Sequence, residues 1–272
     1  MKHFLLILIF VLSISLNGYC EKNPSTEEIK LINPAVRVWR GYKKEGVKTE
    51  IFLKKLSEVF IPATAMFQKN FGLKAYIPVI TPMKKTESIP DEIALVFYES
   101  KEKYGESFST VAGRTYGDLH GTIFSYDEVR KSKSSWPEYF EKDLKTGIPF
   151  FLFNKDVNWQ NGGVRVFIIE KKEETSVDKF QEYINKKIDE LKNKPPHGMD
   201  NCIGVFENNY LILFEHYNTR TMIIPQEIEE MHDFSKLIMF KEAIPLWISS
   251  TPFELYEGIG KITEEIIFNI QF

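Results

Sequence analysis

The chain has 272 residues, 43% of them hydrophobic, with 22 Phe and 12 Tyr, so it can build a sizeable core in one large domain or two small ones. Its formal net charge is −3, and its lysines interleave with glutamates. That balance argues against a general nucleic-acid binder, which would carry a basic excess.

Residues 1–20 read as an export signal. Lys2 and His3 form a short polar start, Phe4 to Leu16 is an apolar run broken only by serines, and Asn17-Gly18-Tyr19-Cys20 closes it. The run is shorter than the roughly 20 apolar residues a permanent transmembrane helix needs. The segment resembles a bacterial lipoprotein signal, in which a cysteine directly after the apolar run is acylated. Asn17 and Tyr19 depart from that pattern, which has a Leu-like and a small residue at those places. Ordinary cleavage after Cys20, with Gly18 and Cys20 as the small residues, is the alternative. The expectation is an exported, cell-envelope protein, attached to the membrane through a lipid on Cys20 or else periplasmic or secreted. Either route leaves Cys202 alone in the mature chain, so no internal disulfide is expected. Residues 21–34, polar and turn-rich, read as a tether.

A first unit is expected over residues 35–154. It opens with a strand over 35–43 that contains Val36-Arg37-Val38-Trp39. A helix follows from Thr49 as N-cap, with Phe52, Leu56, Val59, Ala63, Phe67 and Phe71 on one face, a kink at Pro62 and a stop at Gly72. Residues 73–78 and 93–99 are strand-like. A second helical region runs from about Lys101 to Phe124. An excursion with the basic run Arg130-Lys131-Ser132-Lys133, read as a solvated loop, leads to a last strand at 148–153.

A second unit, 155–272, repeats the order. A strand over 164–171 opens with Val164-Arg165-Val166-Phe167. Val177, Phe180, Ile184, Ile188 and Leu191 mark an amphipathic helix. Strands at 202–206 and 210–217 flank a tight turn at Glu207-Asn208-Asn209. A helix is expected from Pro225 to about Ala243, and a final strand at 265–272.

The two halves align without a gap from Val36/Val164 into the following helix, where Phe52 falls on Phe180 and Leu56 on Ile184. Each reads β-α-β-β-α-β. Two consecutive units of this kind resemble the dimeric α/β-barrel superfamily in its single-chain form: an α+β fold of two tandem ferredoxin-like units packed sheet to sheet. The resemblance implies helices on one face of each sheet and a small cavity between the sheets. It also implies oxidative chemistry, with or without haem, but no catalytic motif in this chain supports a particular reaction.

Candidate site residues come from two stretches. If Val36, Val38, Val164 and Val166 face the helices, strand alternation sends Arg37, Trp39 and Arg165 into the space between the sheets, where paired arginines suit an anionic or carbonyl-bearing ligand. The competing reading is Arg–carboxylate bridges, with Glu99 or Glu215 as partners. The second stretch, Val111 to Gly121, carries Gly113, Gly117 and Gly121 at helical spacing. Arg114 sits one turn from Asp118, and Tyr116 one turn from His120. His120, Tyr116 and Asp118 are the acid–base candidates, Arg114 is a further ligand-binding candidate, and His120 is the one axial-ligand candidate for a haem. No metal-site spacing is present. The function expected is binding, with or without oxidative conversion, of a small organic ligand. A non-catalytic envelope scaffold is the alternative. Cofactor, substrate, oligomeric state and enzymatic status stay open.

Overall fold

The structure, a computed structural model, describes residues 35–82, 85–219, 233–246, 248 and 252–270. The export signal, Cys20, the tether and Pro225 lie outside the described residues. In the first half, β1 (Ala35–Gly41) leads into α1 (Thr49–Lys55), a π-turn at Leu56–Phe60 and α2 (Ile61–Gln68). Pro62 has no N–H to offer the preceding turn, and the irregularity falls just ahead of it. Lys48, not Thr49, is the cap residue, and it makes no side-chain cap. Gly72, at φ 76°, turns the chain into β2 (Leu73–Ile80). Next come β3 (Glu92–Tyr98), α3 (Lys101–Ser109), α4 (Val111–His120), β4 (Lys133–Ser135), β5 (Glu138–Tyr139) and β6 (Pro149–Phe151). The expected single helix over 101–124 is thus two. Thr110 breaks it with an extended backbone, and its hydroxyl caps α4 by accepting from the Gly113 N–H at 3.0 Å.

In the second half, β7 (Gly163–Lys171) is followed by α5 (Val177–Asn193), β8 (Met199–Glu207), β9 (Tyr210–Tyr217), β10 (Ser235–Ala243) and α6 (Pro252–Ile270). The ends of the chain correct the sequence reading. Ser235–Ala243 is a strand where a helix was expected, because a bulge between Leu237 and Met239 hides its two-residue period. Residues 265–270 belong to a helix. Leu255, Ile259, Ile262 and Ile266 step by four, three and four, a helical stripe obscured by Gly258 and Gly260.

One sheet has the order β2-β3-β1-β4, and the other contains β10-β7-β9-β8 extended at its edge by β6 and β5. Both follow the order 4-1-3-2 when the strands of each half are counted, the signature of the ferredoxin-like unit. The protein is two such units packed sheet to sheet, and they form one body. Pro149–Phe151, expected to complete the first sheet, instead pairs with β8 in the second, and Lys133–Ser135 takes the fourth place on the first. The halves also exchange cover. Phe140 and Leu144 pack with α5 on the second sheet, while α6 brings Ile262 and Ile266 onto the first unit's helices.

The direction of the repeated strand is opposite to the expectation. Val36, Val38, Val164 and Val166 meet between the sheets, with Ile77, Leu95, Ile168, Val205, Ile212 and Phe214. Where these valines meet, the space expected for a cavity is filled by side chains. Arg37 and Trp39 face the helices instead. Two sheets approach to about 10 Å, which suits interdigitating Val and Ile. The longer side chains find room under the helices.

A polar clasp closes one end of the sandwich. Arg40, fully buried, donates to Glu207 Oε1 at 2.8 Å, to the Gly147 carbonyl at 3.1 Å and to Ser135 Oγ at 2.8 Å. Lys133, in the basic run expected to be a solvated loop, reaches the same Glu207 oxygen at 2.7 Å, and Arg130 pairs with Asp91 at 3.0 Å. Glu207→Ala strands Arg40 in the core. It is expected to lower unfolding free energy in urea by roughly 3 to 5 kcal/mol, as for a broken buried pair. Lys133→Ala, which leaves the Arg40 bridge intact, should cost at most about 1 kcal/mol. Equal losses would mean that the clasp is not what holds this end.

Candidate functional site

A cavity of about 310 Å³ lies between the first sheet and its helices. The sheet supplies one wall by register. Arg37, Trp39 and Gly41 stand opposite Val96, Ala94 and Glu92, so the side chains of β1 and β3 alternate onto the same face. Phe60, Thr64 and Gln68 from the first helical segment and Gly113, Tyr116, Gly117 and His120 from α4 supply the other wall. Phe108 and Tyr126, each about half exposed, also line it.

The glycine stripe now has a cause for one member. A Cβ on Gly113 would lie 1.9 Å from the Ser107 carbonyl oxygen, so only glycine lets α4 fold back so tightly on α3. A Cβ on Gly117 would meet nothing within 4 Å.

Arg37 is mostly buried, and among the described residues no carboxylate pairs with it. Its Nη2 donates to the Ser134 carbonyl at a long 3.4 Å, its guanidinium lies 4.2 Å over the Tyr104 ring, and its buried Nε–H has no partner. Burial lowers its pKa from the ordinary arginine value. The group nevertheless remains cationic, as arginine does in proteins. Arg165, its counterpart in the repeat, is bridged to Glu215 at 3.0 Å, and Tyr217 donates to that carboxylate at 2.9 Å. Of the two bridges considered from sequence, the Glu215 one is present. Glu99 pairs with Lys74 instead.

His120 stands among four aromatic rings, Trp39, Phe60, Tyr116 and Phe124, at centroid distances of 4.6 to 5.8 Å. Its Nδ1 contacts the Tyr116 carbonyl at 2.8 Å. A carbonyl only accepts, so Nδ1 carries the proton, and Nε2 of the neutral ring is left with its lone pair. Burial lowers the His120 pKa, and the Arg37 charge adds to the effect. The ring is therefore a neutral base at physiological pH. The Tyr116 hydroxyl bonds to Thr64, which itself donates to the Phe60 carbonyl at 2.8 Å. Asp118 and Arg114, in contrast, lie on the exposed side of α4. Arg114 donates to the carbonyls of Phe108 and Ser109, and neither residue lines the cavity.

Sequence reasoning missed Glu92 and Gln68. Glu92 is buried beneath Trp39, whose indole N–H donates to Glu92 Oε2 at 3.0 Å. Burial raises its pKa to about 7, against hydrogen bonds from Trp39 and Tyr76 that pull the other way. The buried Gln68 amide oxygen has no partner. Glu92 follows Pro90-Asp91 and looked like the end of a turn. Gln68 sits in a helix whose apolar spacing gave it no prominence.

The residues do not fit a haem. Trp39, Phe60 and Tyr116 stand edge-on around the imidazole, and a macrocycle laid against Nε2 would have to displace them. Among the described residues no group of three His, Cys, Asp or Glu could hold a metal ion. No described helix is long and apolar enough to cross a membrane.

No family model and no curated protein matches the chain. Among solved structures it is similar to a candidate monooxygenase from Lactobacillus acidophilus, at 12% identity over 78% of this chain and 93% of that one, with a TM-score of 0.33. A candidate monooxygenase from Fusobacterium nucleatum matches at 12% identity over 77% and 90%, with a TM-score of 0.35. An anthrone oxidase-like protein matches at 9% identity over 85% and 84%, with a TM-score of 0.38.

Glu92 gives the site a pH signature. Its folded-state pKa lies above the ordinary 4.5, so the folded protein holds this proton more tightly than the unfolded chain between about pH 4.5 and 7. Stability is therefore lost as pH rises through that window, by roughly 3 kcal/mol for a shift of this size. Urea unfolding of the wild type and Glu92→Gln at pH 5 and pH 8 should show that loss only in the wild type. Parallel curves would place Glu92 in a solvated setting.

Proposed function

We propose that the cavity of the first unit binds a small, ring-bearing organic anion, with Arg37 as its counter-charge. The single observation that carries this reading is the divergence of the repeated arginines. Arg165 has its own carboxylate, whereas Arg37 pairs with no carboxylate among the described residues and lines a cavity wide enough for one or two fused rings. The Gln68 amide adds a second polar group for the ligand to satisfy. Trp39, Phe60 and Tyr116 supply faces and edges for a ring.

Two neighbouring groups can move protons. His120 Nε2 can accept one from a phenol or enol, Arg37 stabilises the anion that results, and Glu92 with a pKa of about 7 can donate or receive one nearby. Oxidative conversion, which the superfamily resemblance implies, would start from that deprotonated ligand. A purely scaffolding role leaves the unpaired Arg37 unexplained. The apolar run Phe4 to Leu16, with Cys20 close behind it, supports placing the protein in a bacterial cell envelope, held by a lipid.

The ligand proposal is tested with 4-nitrophenol, whose phenolate absorbs visible light. The mature protein should bind it saturably and favour the ionised form. Arg37→Gln should weaken binding at least tenfold, and Trp159→Phe should not change it. No saturation, or equal affinity in Arg37→Gln, would count against the site. Oxygen uptake with and without His120→Ala then reads whether the bound anion is oxidised. For the anchor, Cys20→Ala should release the protein from the membrane fraction, and unchanged partitioning would refute lipidation.

A further inference from the structure

A second cavity, of about 620 Å³, opens on the opposite face of the first sheet. Strand β3 separates the two. Val96 and Tyr98 line the first cavity, and Phe97, pointing the other way, lines the second. The second is apolar at its base, where Leu73, Ala75 and Val157 accompany Phe97. Trp159 forms one wall. It is 2% exposed, packed on Phe97 at 5.3 Å and on His216 at 5.2 Å.

The Trp159 indole N–H is buried and has no hydrogen-bond partner among the described residues. Buried donors left in this state are rare. The polar groups around it are committed elsewhere. The Gln160 side chain donates to the Lys74 carbonyl, and its backbone N–H donates to Asn158 Oδ1 at 3.0 Å. His216 is held between Asp200 at 2.5 Å and the Asn161 carbonyl at 2.6 Å. The charged residues lining the cavity are Lys69, Lys74, Lys103 and Glu99, an excess of positive charge, and Glu99 lies 3.9 Å from Lys74.

We propose that this cavity is a second binding site, for a small organic carboxylate. Its hydrocarbon or ring body would lie on Phe97 and Trp159. Its oxyanion would accept the Trp159 N–H within the field of Lys74 and Lys103. The chemistry differs from that of the first cavity, because the one carboxylate in its lining, Glu99, is exposed and lies against Lys74. A neutral indole donor and solvated ammonium groups bind an existing anion and do not create one.

The test uses the mature protein labelled with ¹⁵N. Its four tryptophans give four indole N–H resonances, and that of Trp159 is identified by its absence from Trp159→Phe. If that variant does not fold, nuclear Overhauser contacts to Phe97 make the assignment. Titration with 2-naphthoate should move the Trp159 resonance downfield and saturably. Lys74→Ala combined with Lys103→Ala should weaken the response at least fivefold, Arg37→Gln should leave it unchanged, and inorganic phosphate should not reproduce it. The proposal is overturned if the resonance stays in place, if phosphate moves it equally, if the lysine variant binds as the wild type does, or if Arg37→Gln abolishes the response.

Discussion

The contact between the two sheets sets the direction of every strand side chain. Val36 and Val38 from one half and Val164 and Val166 from the other fill that contact. Strand alternation then forces Arg37, Trp39, Arg165 and Phe167 to the helix-covered faces. A single packing choice, small β-branched residues where the sheets approach and long side chains where helices stand off, decides where polar groups meet.

The consequence differs between the halves. On the second sheet Glu215 lies across from Arg165, and the pair satisfies itself inside a packed helix–sheet core. On the first sheet the residue opposite Arg37 is Val96, and no carboxylate among the described residues reaches the guanidinium. Covering helices interrupted at Pro62 and Thr110 leave space above it, and His120, Tyr116 and Gln68 reach into that space from above. The repeated strand puts two arginines in equivalent places. One became part of the core, and the other faces a cavity.

The order of strands and helices as far as Tyr217 and the internal repeat were legible because they are written in periodicity. The stripe from Phe180 to Ile188, the alignment of Phe52 with Phe180 and the αL stop at Gly72 all have local causes. The inward direction of β1 was not legible. Both faces of its sheet are buried, so hydrophobicity alone does not distinguish the valine side from the Trp39 side. The exchange of cover between the halves, with Phe140 crossing one way and Ile266 the other, depends on contacts distant in sequence. Of the site residues, Arg37, Trp39, Tyr116 and His120 converge as a group, though on the opposite face from the one expected. Glu92 became visible only when register placed it beside Gly41 and beneath Trp39.

The central claim is that Arg37 is kept without a protein counter-ion because a ligand supplies one. The most direct measurement is a crystal structure of the protein as purified from the cells that make it, refined to a resolution that shows individual non-protein atoms. The account predicts a bound molecule with an acceptor atom roughly 3 Å from Arg37 Nε and a ring against Trp39. A protein carboxylate turned in to meet Arg37, or aromatic side chains collapsed to fill the cavity, would contradict it.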